Sequence, residues 1–303
     1  MFGTFFQRRV RLRAYLPGGI DAHCHLIPGV DDGAATLDES LAMIQRQIKL
    51  GLCGAICTPH IMARYPQNTP DYLRKAFRQM VTELQEKDHA VRPPRTCSLP
   101  ESEMPPTCVG PVLETFACPE RIPTEPEGEG PRHPYTVLRT SEGSFVLYLA
   151  AEYMLDEMFM QHLESGDLLY MEHSWFNQPP PPAAFPAEET AAAEARARRK
   201  YLLVELPQYL LPPGWQDMLD AIFAAGYIPL LAHPERYHRL FRPAELWALA
   251  ERGIAFQGNL GSYAGLYGRR TRSMSNVLDR IYTIHGTDAH GLSMMRFFHL
   301  PTH

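Results

Sequence analysis

Residues 20–60 read IDAHCHLIPGVDDGAATLDESLAMIQRQIKLGLCGAICTPH. Ile20-Asp21-Ala22 runs into His23-Cys24-His25, and alternation by two places both imidazoles on one side of an extended chain. Thr36 and Glu39 have capping-box spacing. Leu37, Leu41, Ile44 and Ile48 then repeat on one helical face, and Gly51 suits the helix C-terminus. The apolar run LCGAIC follows and ends in Thr58-Pro59-His60. Strand, helix, strand in this order predicts a βαβ unit, and such units build parallel sheets.

The same grammar continues along the chain. Over 69–87, Thr69 caps a second helix, Pro70 fits its first position, and Leu73, Phe77, Met80 and Leu84 share a side. Apolar runs recur at 145–152, 201–206, 227–233, 254–260 and 280–290, with helical patterns at 213–226 and 242–253. Sixteen of the 28 prolines fall in 92–143 and 177–199. Neither stretch has a sustained period, and both are expected to be surface insertions in a barrel spanning 20–290. Residues 1–19 are expected to be a solvated arm. An alternative gives Arg8, Arg9, Arg11 and Arg13 a contact with an anionic membrane.

Composition excludes several classes. The chain has 303 residues, a net charge of −5 and 45% hydrophobic residues, an ordinary globular mix with no electrostatic footprint for nucleic acid. No apolar run approaches a membrane span, and the N-terminus lacks the apolar core of a secretory signal. A cytoplasmic location is therefore expected. The cysteines at 24, 53, 57, 97, 108 and 118 form no CxxC pair, so reduced thiols are expected rather than a cysteine zinc site.

Nearly every predicted strand ends in a potential metal ligand: His23 and His25, His60, Glu152, Glu205, His233, then Asp288 and His290. In a parallel barrel the carboxyl ends of the strands converge on one mouth. Imidazole and carboxylate suit a borderline or hard divalent ion, without an obligatory thiolate. Any one of these histidines is more often structural. HxH, TPH, HPERY and DAH in this order, each at a strand end, carry weight together.

These motifs, with AAEYML, LLVELP, FQGNLGSYAGLYGRR and GTDAH, resemble the polymerase-and-histidinol-phosphatase (PHP) family. They are most similar to its branch of bacterial manganese-dependent protein-tyrosine phosphatases of the CpsB/YwqE type, from capsule and exopolysaccharide loci. The resemblance covers about 20–91, 144–170 and 201–290. It implies a distorted (β/α)7 TIM-like barrel with three divalent ions at the mouth. Its motifs assign the first ion to His23, His25, Glu152 and Asp288. The second falls to Glu152, Glu205 and His233, and the third to Asp32, His60 and His290. Asp31 would orient the loop, and Asp156 and Glu157 are alternatives to Glu152. Arg236, from HPERY, would bind phosphate, and Arg296 is the candidate for a second arginine. Glu235 would support the site, and Tyr237 is as readily core packing. Clustered ions would acidify a shared water for in-line attack on phosphorus. Manganese is the ion the family suggests; iron, zinc and cobalt also suit these donors. The implied substrate is a phosphotyrosine protein, a bacterial tyrosine autokinase controlling polysaccharide export. A homo-oligomer is left open.

Three rival readings compete. A cysteine phosphatase needs Cys and Arg separated by five residues, and Cys57 and Arg64 miss this by one. Another PHP phosphatase, such as one for histidinol phosphate, would share the ligands. A non-catalytic interaction module finds support in the tail 291–303, GLSMMRFFHLPTH. It ends 13 residues after DxH, shows no helical stripe, and is expected to leave the barrel short of its last helix.

Overall fold

The computed structural model describes residues 10–11, 15–16, 19–91, 135–140, 143–175 and 198–299. The fold is α/β, with a curled and mostly parallel sheet. One sheet contains β2 (Ile20–Cys24), β3 (Gly54–Cys57), β6 (Gly143–Leu149) and β5 (Tyr135–Thr140), in the order β2-β3-β6-β5. The other contains β4 (His60–Ile61), β7 (Glu152–Met154), β9 (Lys200–Glu205), β10 (Ile228–Ala232), β11 (Ala255–Asn259) and β12 (Ile284–Gly286). It runs β12-β11-β10-β9-β7-β4, and β8 (Met171–Glu172) adds to β9 antiparallel.

The two sheets meet at both edges. On one side the chain passes directly from β3 to β4 and from β6 to β7. There Ala150 N donates to Cys57 O, and Glu152 N to Pro59 O. On the other side Asp288 N donates to His23 O and His25 N to Ala289 O, beside a parallel bridge between Cys24 and Ala289.

Strands buried on both faces read as near-continuous apolar runs. Alternate residues here feed two cores. Ala22, Ile56, Tyr148, Leu203, Leu230, Ala255 and Ile284 face one another inside the curl. Their neighbours Leu147, Val204, Leu231 and Phe256 pack outward against the helices. Those helices are α1 (Leu37–Lys49), α2 (Pro70–Val91), α3 (Phe159–Ser165), α4 (Trp215–Ala224), α5 (Pro243–Glu251), α6 (Leu260–Ala264), α7 (Gly268–Leu278) and α8 (Leu292–Met295). Thr36 caps α1 by accepting from Glu39 N. At one end of the curl the inner apolar layer gives way to buried Glu205, Gln257 and Asn259 toward the carboxyl ends of β9 and β11, and to buried Glu152 at the start of β7.

Several sequence expectations change. The run 145–152 is not one strand: it breaks at Ala150-Ala151, so Glu152 opens β7 instead of closing β6. The run 280–290 contains only the three-residue β12. Of the stretch 92–143, residues 92–134 and 141–142 lie outside the described residues. Tyr135–Thr140, expected to be irregular, is a strand in antiparallel register with β6, Thr140 opposite Gly143. Residues 176–197 also lie outside, and with them most of the second insertion. The tail is not featureless. It forms α8 and β13 (Phe298–His299), and β13 pairs in parallel with β1 (Val10–Arg11). The arm is thus held at Val10–Arg11 and at buried Leu16; residues 1–9, 12–14 and 17–18 lie outside the described residues. Cys24, Cys53 and Cys57 are free thiols. No described helix is long and apolar enough to cross a membrane.

Candidate metal centre

The carboxyl ends of β2, β9, β10 and β12 and the starts of β4 and β7 converge on one cluster of donors. His23 Nε2 lies 3.2 Å from His25 Nε2, 3.1 Å from Glu152 Oε2 and 3.5 Å from Asp288 Oδ1. His25 Nε2 is 3.5 Å from the same Glu152 oxygen and 3.6 Å from the same Asp288 oxygen. On the far side of Glu152, His233 Nε2 approaches Oε1 at 3.2 Å and Glu205 Oε1 at 3.5 Å. At the rim, Asp32 Oδ1 lies 3.4 Å from His60 Nε2 and 3.6 Å from His290 Nε2. Glu152 therefore stands in the middle, where the resemblance places a bridging ligand; Asp156 instead accepts from Ala63 N and Met158 N. His60 also turns Nδ1 to within 3.2 Å of Glu152 Oε2, outside hydrogen-bonding alignment. It faces both the rim and the centre.

These donors suit divalent ions. Ligands about 2.1 Å from a common ion lie roughly 3–3.5 Å from one another, which is the spacing seen. The imidazoles are turned the right way. His23 Nδ1 is held by Gln257 Oε1 at 2.9 Å, and His25 Nδ1 by Asp31 Oδ2 at 2.8 Å. His290 Nδ1 is 3.0 Å from Asp288 O. Each such bond fixes the proton on Nδ1 and leaves the Nε2 lone pair facing the cluster. Asp288 Oδ2 accepts from Arg236 Nη1 at 2.9 Å and Asn259 Nδ2 at 2.7 Å. Its other oxygen, Oδ1, is buried with no hydrogen-bond partner and faces His23 and His25. A buried acceptor left unpaired is costly unless something binds it.

The electrostatics say the same. Burial alone would raise the Glu152 and Asp288 carboxyls. It is outweighed only by the neighbours together, His23, His60 and His233 at Glu152 and His23, His25, Arg236 and His290 at Asp288, which hold both groups well below their ordinary range. Burial opposes charge on His23, yet Glu152 and Asp288 push it up to about 9. Burial and the neighbouring Glu152 raise Glu205 to about 8. Burial and Arg236 lower His233 to about 4, leaving it a neutral donor. Without metal, protons on His23 and Glu205 balance the crowded carboxylates.

Backbone strain marks the same place. His233 (φ 30°) and Asp288 (φ 51°) are the only non-glycine residues with positive φ among the described residues. Such conformations persist where surrounding structure enforces them, commonly at functional sites.

Arg236 sits against Asp288, with its guanidinium carbon 4.4 Å from the centre of the Tyr267 ring. Arg296 is not brought to the cluster. The single turn of α8 leaves it exposed, over the ring of its neighbour Phe297. Glu235 is buried, accepting from Asn259 N and from the Tyr282 hydroxyl, and so steadies the asparagine that holds Asp288. Tyr237 is core, its hydroxyl accepting from Leu206 N. Asp31 accepts from His25 Nδ1, Gly33 N and His60 N, orienting two histidines and the loop between them. Sequence reading missed Asp21, Gln257 and Asn259. Asp21 is fully buried and joins Thr287, Gln47 and His23 N, tying β2 to the segment that carries Asp288. Gln257 and Asn259 had one signal, polar residues two apart in an otherwise apolar strand.

The chain is 25% identical over 281 residues to the tyrosine-protein phosphatase YwqE of Bacillus subtilis (strain 168), covering 92% of this chain and 80% of that protein. Its fold is similar to the crystal structures of YwqE from Bacillus subtilis and CpsB from Streptococcus pneumoniae, metal-dependent tyrosine phosphatases. The TM-score is 0.59 at 22% identity, over 91% of this chain and 81% of the other. Residues 19–94 and 187–297, more than half of the sequence, match the model of the CpsB/CapC capsular polysaccharide synthesis family, and the chain belongs to that family.

Proposed function

We propose that this protein is a metal-dependent phosphotyrosine phosphatase built on a distorted (β/α)7 barrel. The observation that carries the reading is the set of imidazoles with Nδ1 held and Nε2 turned to a buried carboxylate cluster. In this reading His23, His25, Glu152 and Asp288 hold one ion, and Glu152, Glu205 and His233 a second. Asp32, His60 and His290 hold a third. Manganese is the ion of choice. When bound, the ions supply an activated water and neutralise charge on the phosphoryl oxygens. Arg236, already oriented by Asp288, offers a forked guanidinium to the phosphate. Asn259 and Glu235 keep Asp288 and its strained backbone in place. Water adds to phosphorus, the P–O(aryl) bond breaks, and the tyrosine phenolate takes up a proton. With a conjugate pKa of about 10, that phenolate is a good leaving group.

The name of the Bacillus subtilis relative supports phosphotyrosine over histidinol phosphate as substrate. The family's link to capsular polysaccharide synthesis supports a bacterial tyrosine autokinase as the phosphoprotein and the cytoplasm as the location. The test is hydrolysis of a phosphotyrosine peptide with Mn²⁺ and with chelator, by wild type and His23→Ala. We expect turnover that needs Mn²⁺ and falls at least a hundredfold in the variant. Activity indifferent to both chelator and substitution would overturn the proposed centre.

A further inference from the structure

Beside the cluster lies a second feature that shares only Arg236 with its chemistry. A cleft of about 220 Å³ opens at Arg236, lined also by Tyr209, His238, Arg239, Tyr267 and Thr271. It is smaller than the ~300–1,000 Å³ typical of sites for drug-sized ligands, a size for one amino-acid side chain. Its charge is one-sided. Two arginines, Arg236 and Arg239, line it, and no acidic side chain does, although the chain as a whole carries −5. Arg236 is committed to Asp288. Arg239 is exposed and forms no ion pair among the described residues; its guanidinium carbon lies 5.8 Å from the centre of the Tyr209 ring. Tyr209 and Leu210 are themselves 77% and 78% exposed. A loop that spends an aromatic ring and an aliphatic side chain on solvent, next to an unpaired cation, has the makings of a recognition surface. Arg236 joins the two regions: one nitrogen on Asp288 at the metal centre, its guanidinium over Tyr267 in the cleft lining.

We infer that this cleft is a specificity subsite, taking an acidic side chain that flanks the phosphotyrosine in the substrate chain. Arg239 pairs with the carboxylate, and Tyr209 covers its aliphatic stem. The inference rests on the phosphotyrosine reading of the neighbouring centre and deepens it. Arg239 and Tyr209 are neither metal ligands nor phosphate-binding groups in that reading, so they select among peptides without altering turnover of a small aryl phosphate.

The experiment uses the full-length, Mn²⁺-loaded protein and two peptides carrying a non-hydrolysable phosphonomethyl-phenylalanine, flanked on both sides by Glu in one and by Lys in the other. Binding is measured by fluorescence anisotropy for wild type, Arg239→Glu and Arg239→Ala. Wild type is expected to favour the Glu-flanked peptide, and Arg239→Glu to shift that preference by about fivefold or more, the scale of an exposed charge pair. Arg239→Ala should fall between them. A shift below about threefold in Arg239→Glu overturns the subsite. Because binding is read without turnover, failure of the subsite is distinguishable from failure of the phosphatase reading, which is tested by hydrolysis of p-nitrophenyl phosphate in parallel. That hydrolysis should be equal in all three proteins.

Discussion

Three imidazoles of the cluster, those of His23, His25 and His290, have the Nδ1 proton assigned by a neighbour. Gln257 and Asp31 set the tautomers of His23 and His25, so Nε2 is the atom left for an ion. The charge state in the absence of metal is a different matter. His23 is raised from 6.5 to about 9 and Glu205 from 4.5 to about 8. Both bind a proton more tightly folded than unfolded. The stability they contribute is therefore complete at low pH and is lost as pH climbs through their folded values. His233, lowered to about 4, works oppositely, but its effect is complete by pH 6.5. Glu152 and Asp288, held low, are fully ionised throughout. Between pH 6.5 and 9 only the losses remain. We expect chelator-treated protein to show a Tm that falls steadily over this range. Metal has to displace those protons, so its affinity should rise with pH over the same window. Calorimetry in buffers of different ionisation enthalpy should show proton release at pH 7 that fades by pH 9. Flat profiles for both quantities would be incompatible with protonated His23 and Glu205.

At the scale of the element, the seam between β2 and β12 decides whether the donors meet. Glycine at 286 permits it. A Cβ there would lie 2.5 Å from His23 Cβ and 2.6 Å from His23 N, and backbone cannot swing aside as a flexible side chain can. Gly286→Ala should cost about 1–3 kcal/mol in denaturant unfolding, the usual scale of overpacking. It should also weaken metal binding, because the strain falls on the strand that presents His23. An alanine variant as stable and as metal-avid as wild type would mean that the seam has room to spare. This seam also marks what could be read from sequence. His23 and His25 were legible because alternation by two is local. His60, His233, Asp288 and His290 were legible because each follows an apolar run or a proline that stops it. Gln257 and Asn259 were not, because polar residues at alternate positions also describe a strand with one solvated face; only the curling of the sheet turns that face inward. Tyr135–Thr140 was hidden by its place after a proline-rich stretch, and its pairing partner is the strand that follows. Arg296 lies close to DxH in sequence, but the turn of α8 points it outward.

At the scale of the molecule, the two ends of the described chain are one structural unit. β1 pairs with β13, and Arg46 from α1 donates to Phe298 O at 3.1 Å. Met295 and Phe298 are fully buried in the outer core. The segment 292–299 thus covers apolar surface next to α1, the helix that follows His23, His25 and Asp32 in sequence. A non-catalytic remnant with a frayed barrel would not need such packing. The consequence is measurable. Phe298→Ala removes a fully buried aromatic ring and should destabilise by about 3–5 kcal/mol, the range for large-to-small core substitutions. The loss should appear as a lower denaturant midpoint with an unchanged slope, since the folded and unfolded states bury and expose the same chain. Saturating Mn²⁺ should recover part of the loss, because a ligand that binds only the folded state stabilises it by mass action. If Phe298→Ala unfolds at the wild-type midpoint, the tail is an ornament on the fold. If it unfolds early and Mn²⁺ restores the midpoint, the tail and the metal centre stabilise one cooperative structure.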